Sequence, residues 1–375
     1  MLYATCGRAT IMESLKQPGQ GRNGEIELWR IIVACVIVLH HSYNLAWSGI
    51  VCGGYVGVEF FFLLSGYLLA RHIRKQADGV QPPASSWGGE TLGYLWRRLR
   101  SFWPELLVSC LIGLAVYAWG HHFAVRPTLG MARDTVLGNL MLLDMTGLSG
   151  SGVNPPAWYL STLMVGSALL YPLLKRCGHS VLVPIAACFL LGYIMVADPD
   201  SPRMGFAIVR NWMGWIYKGN IRGVAELAIG ASLCPLVQVL AARRVPQWAR
   251  VWLTAVKWGC YGVMLLYCVH PAGTWMPLVL AALACALVLN TSGVCADAGW
   301  YRHGWIMRLG RFSLPLYLSH IFWAKNLAAI APGIPADSAL MLIVYFAASV
   351  ATALAVCLLA KCLRRISTAS PDIAG

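Results

Sequence analysis

The chain has 375 residues, of which 58% are hydrophobic and only 12% charged. Soluble domains carry about 25% charged residues, so this composition excludes an ordinary soluble enzyme, a disordered chain and a nucleic-acid binder. The net charge of +14 then has a source besides a basic patch: the Lys and Arg excess that holds membrane loops on the cytoplasmic side. Thirteen cysteines are scattered without a Cys-x-x-Cys pair. An odd number without framework spacing points to neither a disulfide scaffold nor a zinc site, and no metal is expected.

Residues 1–24 are polar and Gly-rich, lack a signal-peptide core, and are expected to be a short cytoplasmic tail, with Met12 as an alternative start. Apolar stretches near the 20 residues a bilayer requires follow at roughly 28–47, 52–70, 101–120, 156–174, 180–197, 221–241, 251–270, 274–290, 311–331 and 337–361. A shorter stretch, 134–146, contains Asn139 and Asp144 and reads as a re-entrant or surface-lying segment. Ten spans put both termini on one side. With that side inside, the cytoplasmic segments and span ends hold 21 of the 29 Lys and Arg residues, as the positive-inside rule requires. The expected fold is therefore all-α: a polytopic transmembrane helix bundle of about ten spans with both termini cytoplasmic. Its membrane domain covers 25–365, with a C-terminal tail at 366–375.

Ionisable groups within a bilayer cost about 2.5–3.5 kcal/mol each at a helix centre on insertion scales, so each needs a reason. Arg30 and His41 are eleven residues apart, which at about 100° per residue returns to nearly the same helix face, with roughly 16 Å between them along the axis. His40 points about 80° away. Such a face suits an anionic substrate held by a guanidinium with an imidazole as general base; the alternative is a snorkelling Arg and a packing His. Glu59, beside Phe60, Phe61 and Phe62, either orients that imidazole or is a carboxyl bonded within the bundle. Arg97, Arg98 and Arg100 precede Pro104 at a cytoplasmic span end and either bind an anionic nucleotide or anchor topology. Arg222 and Glu226, four apart, can pair. In the run from Ser313 to Lys325, the presence of both His320 and Lys325 points to a polar cavity.

Taken together, these pieces resemble the acyltransferase-3 family, bacterial integral-membrane O-acyltransferases of cell-surface glycans. The opening EIELWR ends in Arg30, and ten residues then separate it from His41. The run Gly54-Tyr-Val-Gly-Val-Glu-Phe-Phe-Phe-Leu-Leu-Ser-Gly-Tyr-Leu then carries the fit nearly position by position to Leu69. A basic Arg97-x-x-Arg100 before a Pro, a Trp-led span at Trp158 and a late Tyr317-Leu-x-His320 follow in family order, so the resemblance covers about 27–365. Two departures are visible. Ser101 stands where relatives usually place the second Arg, three residues before the Pro. The Trp-led span reads W-Y-L-S-T-L rather than W-S-L-S-V-E and has no acid.

The resemblance implies transfer of an acyl group, usually acetyl, from cytoplasmic acyl-CoA to an outward-facing hydroxyl of a glycan or glycolipid, in a multi-pass protein of the bacterial inner membrane. No cofactor is implied beyond that donor substrate, and the partners implied are the bilayer, acyl-CoA and the acceptor. On this reading His41 is general base or acyl carrier, Arg30 and Glu59 complete the catalytic set, and Arg97, Arg98 and Arg100 bind acyl-CoA. Ser65, Trp158, Ser161, Arg222, Glu226, Tyr317, His320 and Lys325 form or support the acceptor pocket. A membrane carrier or flippase for a lipid-linked or small polar substrate is the alternative; the sequence lacks the repeats and the matched pairs of interrupted helices that carriers often have.

Overall fold

The computed structural model describes residues 23–45, 47, 51–78, 87–148, 150–178, 181–196, 211–212, 216–271, 275–296, 299, 301 and 303–368. The N-terminal tail up to residue 22, Arg302 and the C-terminal residues 369–375 lie outside them. Twelve α-helices occur among the described residues: α1 Gly24–His40, α2 Gly57–Asp78, α3 Trp87–Gly120, α4 Val125–Asp134, α5 Trp158–Cys177, α6 Leu182–Val196, α7 Lys218–Ala241, α8 Gln247–Val269, α9 Met276–Ser292, α10 Gly304–Ser319, α11 Ile321–Ile330 and α12 Ala339–Thr368. The one strand pairing among these residues is a two-residue antiparallel ladder, Asn211–Trp212 with Ile216–Tyr217.

The all-helical bundle expected from composition is present. Seven helical segments are long and apolar enough to cross a membrane: Gly24–Leu45, Gly54–Gln76, Gly88–Gly120, Pro155–Cys177, Lys218–Ala241, Gln247–Val269 and Ala339–Ile366. Their outward faces carry Leu236, Val239, Ile343, Leu354 and Leu358 in the open, as acyl chains rather than water require. The other three expected spans are also helical but shorter or broken. Helix α6 has 15 residues and α9 has 17, while α10 and α11 meet at His320, which ends one helix and begins the next. Segment 134–146 forms a single π-helical turn, Thr135–Leu140, and then turns, too short to span.

Local chemistry explains the boundaries that matter for the site. Asn23 caps α1 by accepting from the backbone N–H groups of Glu25 at 2.9 Å and Ile26 at 3.3 Å, and Glu25 and Glu27 in the first turn suit the positive end of the helix dipole. The regular helix stops at His40, and His41 opens a 3₁₀ turn to Leu45. Helix α3 differs from expectation at its start: residues 87–100 are helical rather than loop, so the three arginines ride on a helix of 34 residues. Helix formers such as Leu92, Leu95, Arg97, Arg98 and Leu99 favour that extension. Helices α2 and α7 pack backbone to backbone, because a Cβ at Gly66 would strike the Leu227 carbonyl and one at Gly230 the Leu63 carbonyl. Small residues at such crossings are the means by which membrane helices approach closely. Helices α1 and α10 run parallel: Gly310 abuts Glu27 near their starts, and His320 meets His41 at their ends.

Candidate active site

The break between α10 and α11 brings two imidazoles together. His320, fully buried, places Nε2 at 3.1 Å from Nδ1 of His41, with ring centroids 4.8 Å apart. Backbone carbonyls settle the protons. His320 Nδ1 donates to Tyr317 O at 2.7 Å, and His41 Nδ1 donates to Ile37 O at 2.9 Å. A carbonyl can only accept, so both Nδ1 atoms carry hydrogen; His320 Nε2 is then an acceptor that shares the His41 proton. The remaining nitrogen of His41, Nε2, is left with its lone pair. His40 is directed elsewhere, its Nδ1 on Val51 O at 2.9 Å, which agrees with the angular separation read from the sequence.

His41 is not among the residues that line the cavity around Arg30. Arg30 lines this cavity of about 280 Å³ together with Arg98, Ser101 and Ser313, aliphatic side chains of α2, α5 and α10, and Phe61, Ser65, Tyr159 and Tyr317. Arg30 is half-buried, with Nη1 at 3.2 Å from Glu27. Arg98 donates to the Tyr94 hydroxyl at 2.6 Å. The three arginines expected to act together separate here: Arg98 faces the cavity, whereas Arg97 and Arg100 are exposed, and Arg100 sits over the Trp96 ring at 5.7 Å.

Three rings close the other end of the cavity. Phe61, Tyr159 and Tyr317 have pairwise centroid separations of 6.1–6.4 Å. Tyr159 donates to the Phe61 carbonyl at 3.3 Å and shares a 3.0 Å hydrogen bond with Ser65, and Tyr317 donates to Pro156 O at 2.7 Å. Beyond Tyr317 comes His320, 5.9 Å from it ring to ring. A cationic mouth, an apolar cavity, an aromatic wall and an imidazole pair thus follow in sequence.

Glu59 does not orient an imidazole. Both its oxygens accept from Arg222, whose Nε also lies 3.2 Å from Glu226. All three are buried, and Arg222 stands 5.9 Å over the Trp158 ring. The reason is positional: Glu59 lies within the first turn of α2 and faces α7, so the nearest cation is the guanidinium, and His41 takes a second histidine as its partner instead. Of the remaining candidates, Ser161 is buried and donates to Leu142 O, tying α5 to the preceding segment. Lys325 is exposed on α11, close enough to interact electrostatically with His41. No group of three or more His, Cys, Asp or Glu that could hold a metal occurs among the described residues.

Tyr159, which forms part of the cavity wall, was not singled out from the sequence; the signal that could have found it is the Tyr directly after Trp158 in W-Y-L-S-T-L. Asn154 and Ser109, both buried and bonded near the helix break, carried no signal beyond being polar in apolar surroundings.

The arrangement defines the class of protein: a multi-pass membrane helix bundle with an imidazole pair at a helix break and a basic-mouthed cavity behind it. An acyltransferase domain model matches residues 23–362, nearly the whole chain, and the chain belongs to the acyltransferase-3 family, a membrane acyltransferase. No curated protein and no solved structure matches it.

Proposed function

We propose that the protein transfers an acyl group, acetyl on the strength of the family resemblance, from cytoplasmic acyl-CoA to a hydroxyl of an extracytoplasmic glycan or glycolipid. The observation that carries the reading is the free Nε2 of His41, held by the Nδ1 bond to Ile37 O and backed by His320. A sugar hydroxyl is far too weak an acid to ionise near neutral pH and needs a base in the transition state. His41 Nε2 takes the hydroxyl proton as the oxygen bonds to the thioester carbonyl carbon. The carbon–sulfur bond then breaks, and the imidazolium returns the proton to the departing thiolate. His320 Nε2, accepting from His41 Nδ1–H, favours the imidazolium that forms.

Arg30 and Arg98 supply the cations for the phosphates of the donor, a role to which a planar guanidinium is suited. The cavity between them and the aromatic wall suits the donor's slender arm. The ten-span arrangement with cytoplasmic termini rests on the distribution of Lys and Arg, and its place in a bacterial inner membrane on the family resemblance. The parallel course of α1 and α10 is the one such a topology requires of its first and ninth spans. With the termini cytoplasmic, the arginines would face the side from which acyl-CoA arrives and the histidines the side of the acceptor.

The test is purified protein in proteoliposomes with labelled acetyl-CoA outside and acceptor glycan inside, or the reverse orientation. Label on the glycan supports the reading; label retained on His41 in place of turnover assigns that residue as acyl carrier. The broken helix at His320 favours examining the carrier alternative in the same vesicles, since interrupted helices also build transport sites. Passage of unmodified substrate without acyl transfer would establish it.

A further inference from the structure

Two side chains from different segments converge on one carbonyl beside the helix break. Leu318 O, two residues before His320, accepts from Ser109 Oγ of α3 at 2.6 Å and from Asn154 Nδ2 at 2.8 Å. Asn154 Nδ2 also lies 3.3 Å from Ser109 Oγ. Asn154 is itself held at its backbone: its N–H donates to Asn139 Oδ1 at 3.0 Å, and its carbonyl accepts from Asn139 Nδ2 at 3.1 Å. One residue earlier in α10, Tyr317 donates to Pro156 O, so residues 317 and 318 are both fastened to the segment that leads into α5. Asn139, Asn154 and Ser109 are all fully buried.

Carbonyls at helix ends need partners from outside the helix, and at membrane depth an unsatisfied one is costly. Pro315, three residues before Leu318, has no N–H to give and loosens the last turns of α10. A helix interrupted there has many ways to bend. The pair of donors on Leu318 O, with the phenol on Pro156 O, selects one of them. It is the bend in which His320 Nδ1 returns to Tyr317 O and Nε2 faces His41.

We propose that Asn154, assisted by Ser109, is a positioning residue for the imidazole pair: it fixes the α10–α11 break so that His320 meets His41. The inference rests on the acyl-transfer reading above, since it is the chemistry at His41 that the placement serves. Asn154 touches neither reacting group. Its amide can serve only in one orientation, because a rotated amide or a carboxylate would turn an oxygen toward Leu318 O.

The experiment uses the full chain in proteoliposomes with acetyl-CoA and compares wild type, Ser109→Ala, Asn154→Ala and Asn154→Asp. Misplacing a catalytic group by about 1 Å can cost about 100-fold. The expected result is a fall in kcat of at least about tenfold in N154D and a smaller fall in N154A and S109A, with the KM for acetyl-CoA unchanged because the donor cavity is not touched. Detergent melting and membrane abundance follow assembly. If N154D fails to assemble, S109A and N154A decide. A wild-type kcat in those two, or a loss of kcat matched by an equal rise in KM, overturns the proposal. Wild-type protein that transfers no acyl group under any condition refutes the functional reading instead, and the two failures are thereby distinct.

Discussion

Asp144 offers a prediction whose size follows from its surroundings. It lies in the segment connecting α4 to α5, outside the spans, is 8% exposed, and accepts from Asn139 Nδ2 at 3.2 Å and 3.0 Å. Burial pushes its carboxyl from 3.8 up to about 6, with the Asn139 donor pulling the other way. The folded chain therefore holds this proton more tightly than the unfolded chain does. The associated stability is fully present below pH 3.8, declines as pH rises toward 6, and is lost above it. A difference of about two pH units at about 1.36 kcal/mol per unit amounts to a penalty of about 3 kcal/mol at neutral pH. Asp144→Asn removes the charge and keeps an acceptor for Asn139. Its stability relative to wild type should increase by about 2 kcal/mol between pH 4.5 and pH 7.5. Unfolding in detergent micelles at both pH values measures this. A difference between variant and wild type that does not change with pH refutes the reasoning.

Other outcomes follow from the buried charges and the cavity. Arg222→Met leaves Glu59 and Glu226 buried without their cation, and breaking such a pair costs about 3–5 kcal/mol; the variant should melt earlier and accumulate poorly, and adding Glu59→Gln should recover part of the loss. Wild-type melting of the single variant would show that the triad holds nothing together. Arg98→Ala should raise the KM for acyl-CoA several-fold, whereas Arg97→Ala and Arg100→Ala should change it little, because only Arg98 of the three faces the cavity. Equal effects of all three would return the exposed pair to the donor site. Arg30→Lys, which keeps the charge but loses the planar fork, should likewise raise the donor KM, and unchanged donor kinetics would remove Arg30 from that site.

Much of this architecture is legible in the sequence because a bilayer imposes length and apolarity on each helix. Among the described residues, each expected span from 28–47 to 337–361 is mainly helical. What the sequence could not convey is how faces combine. Periodicity placed Arg30 and His41 on one face, yet only Arg30 lines the cavity that Phe61, Tyr159 and Tyr317 also line, while His41 opens a 3₁₀ turn and pairs with His320. Spacing paired Arg222 with Glu226, but the partner from α2, Glu59, is 163 positions away and is set by the glycine crossing of α2 and α7. His320 was visible as an unusual residue in an apolar run. That it ends one helix and begins another depends on Ser109 and Asn154, whose hydrogen bonds reach across 209 and 164 positions. No local pattern encodes such contacts.

The central claim is that His41 is the base for acyl transfer, and His41→Ala tests it most directly. Acetyl transfer from labelled acetyl-CoA to surface glycan, measured in proteoliposomes and by mass spectrometry of the glycan, should fall to background while membrane abundance and melting stay at wild-type levels. Transfer at the wild-type rate in that variant would contradict the account.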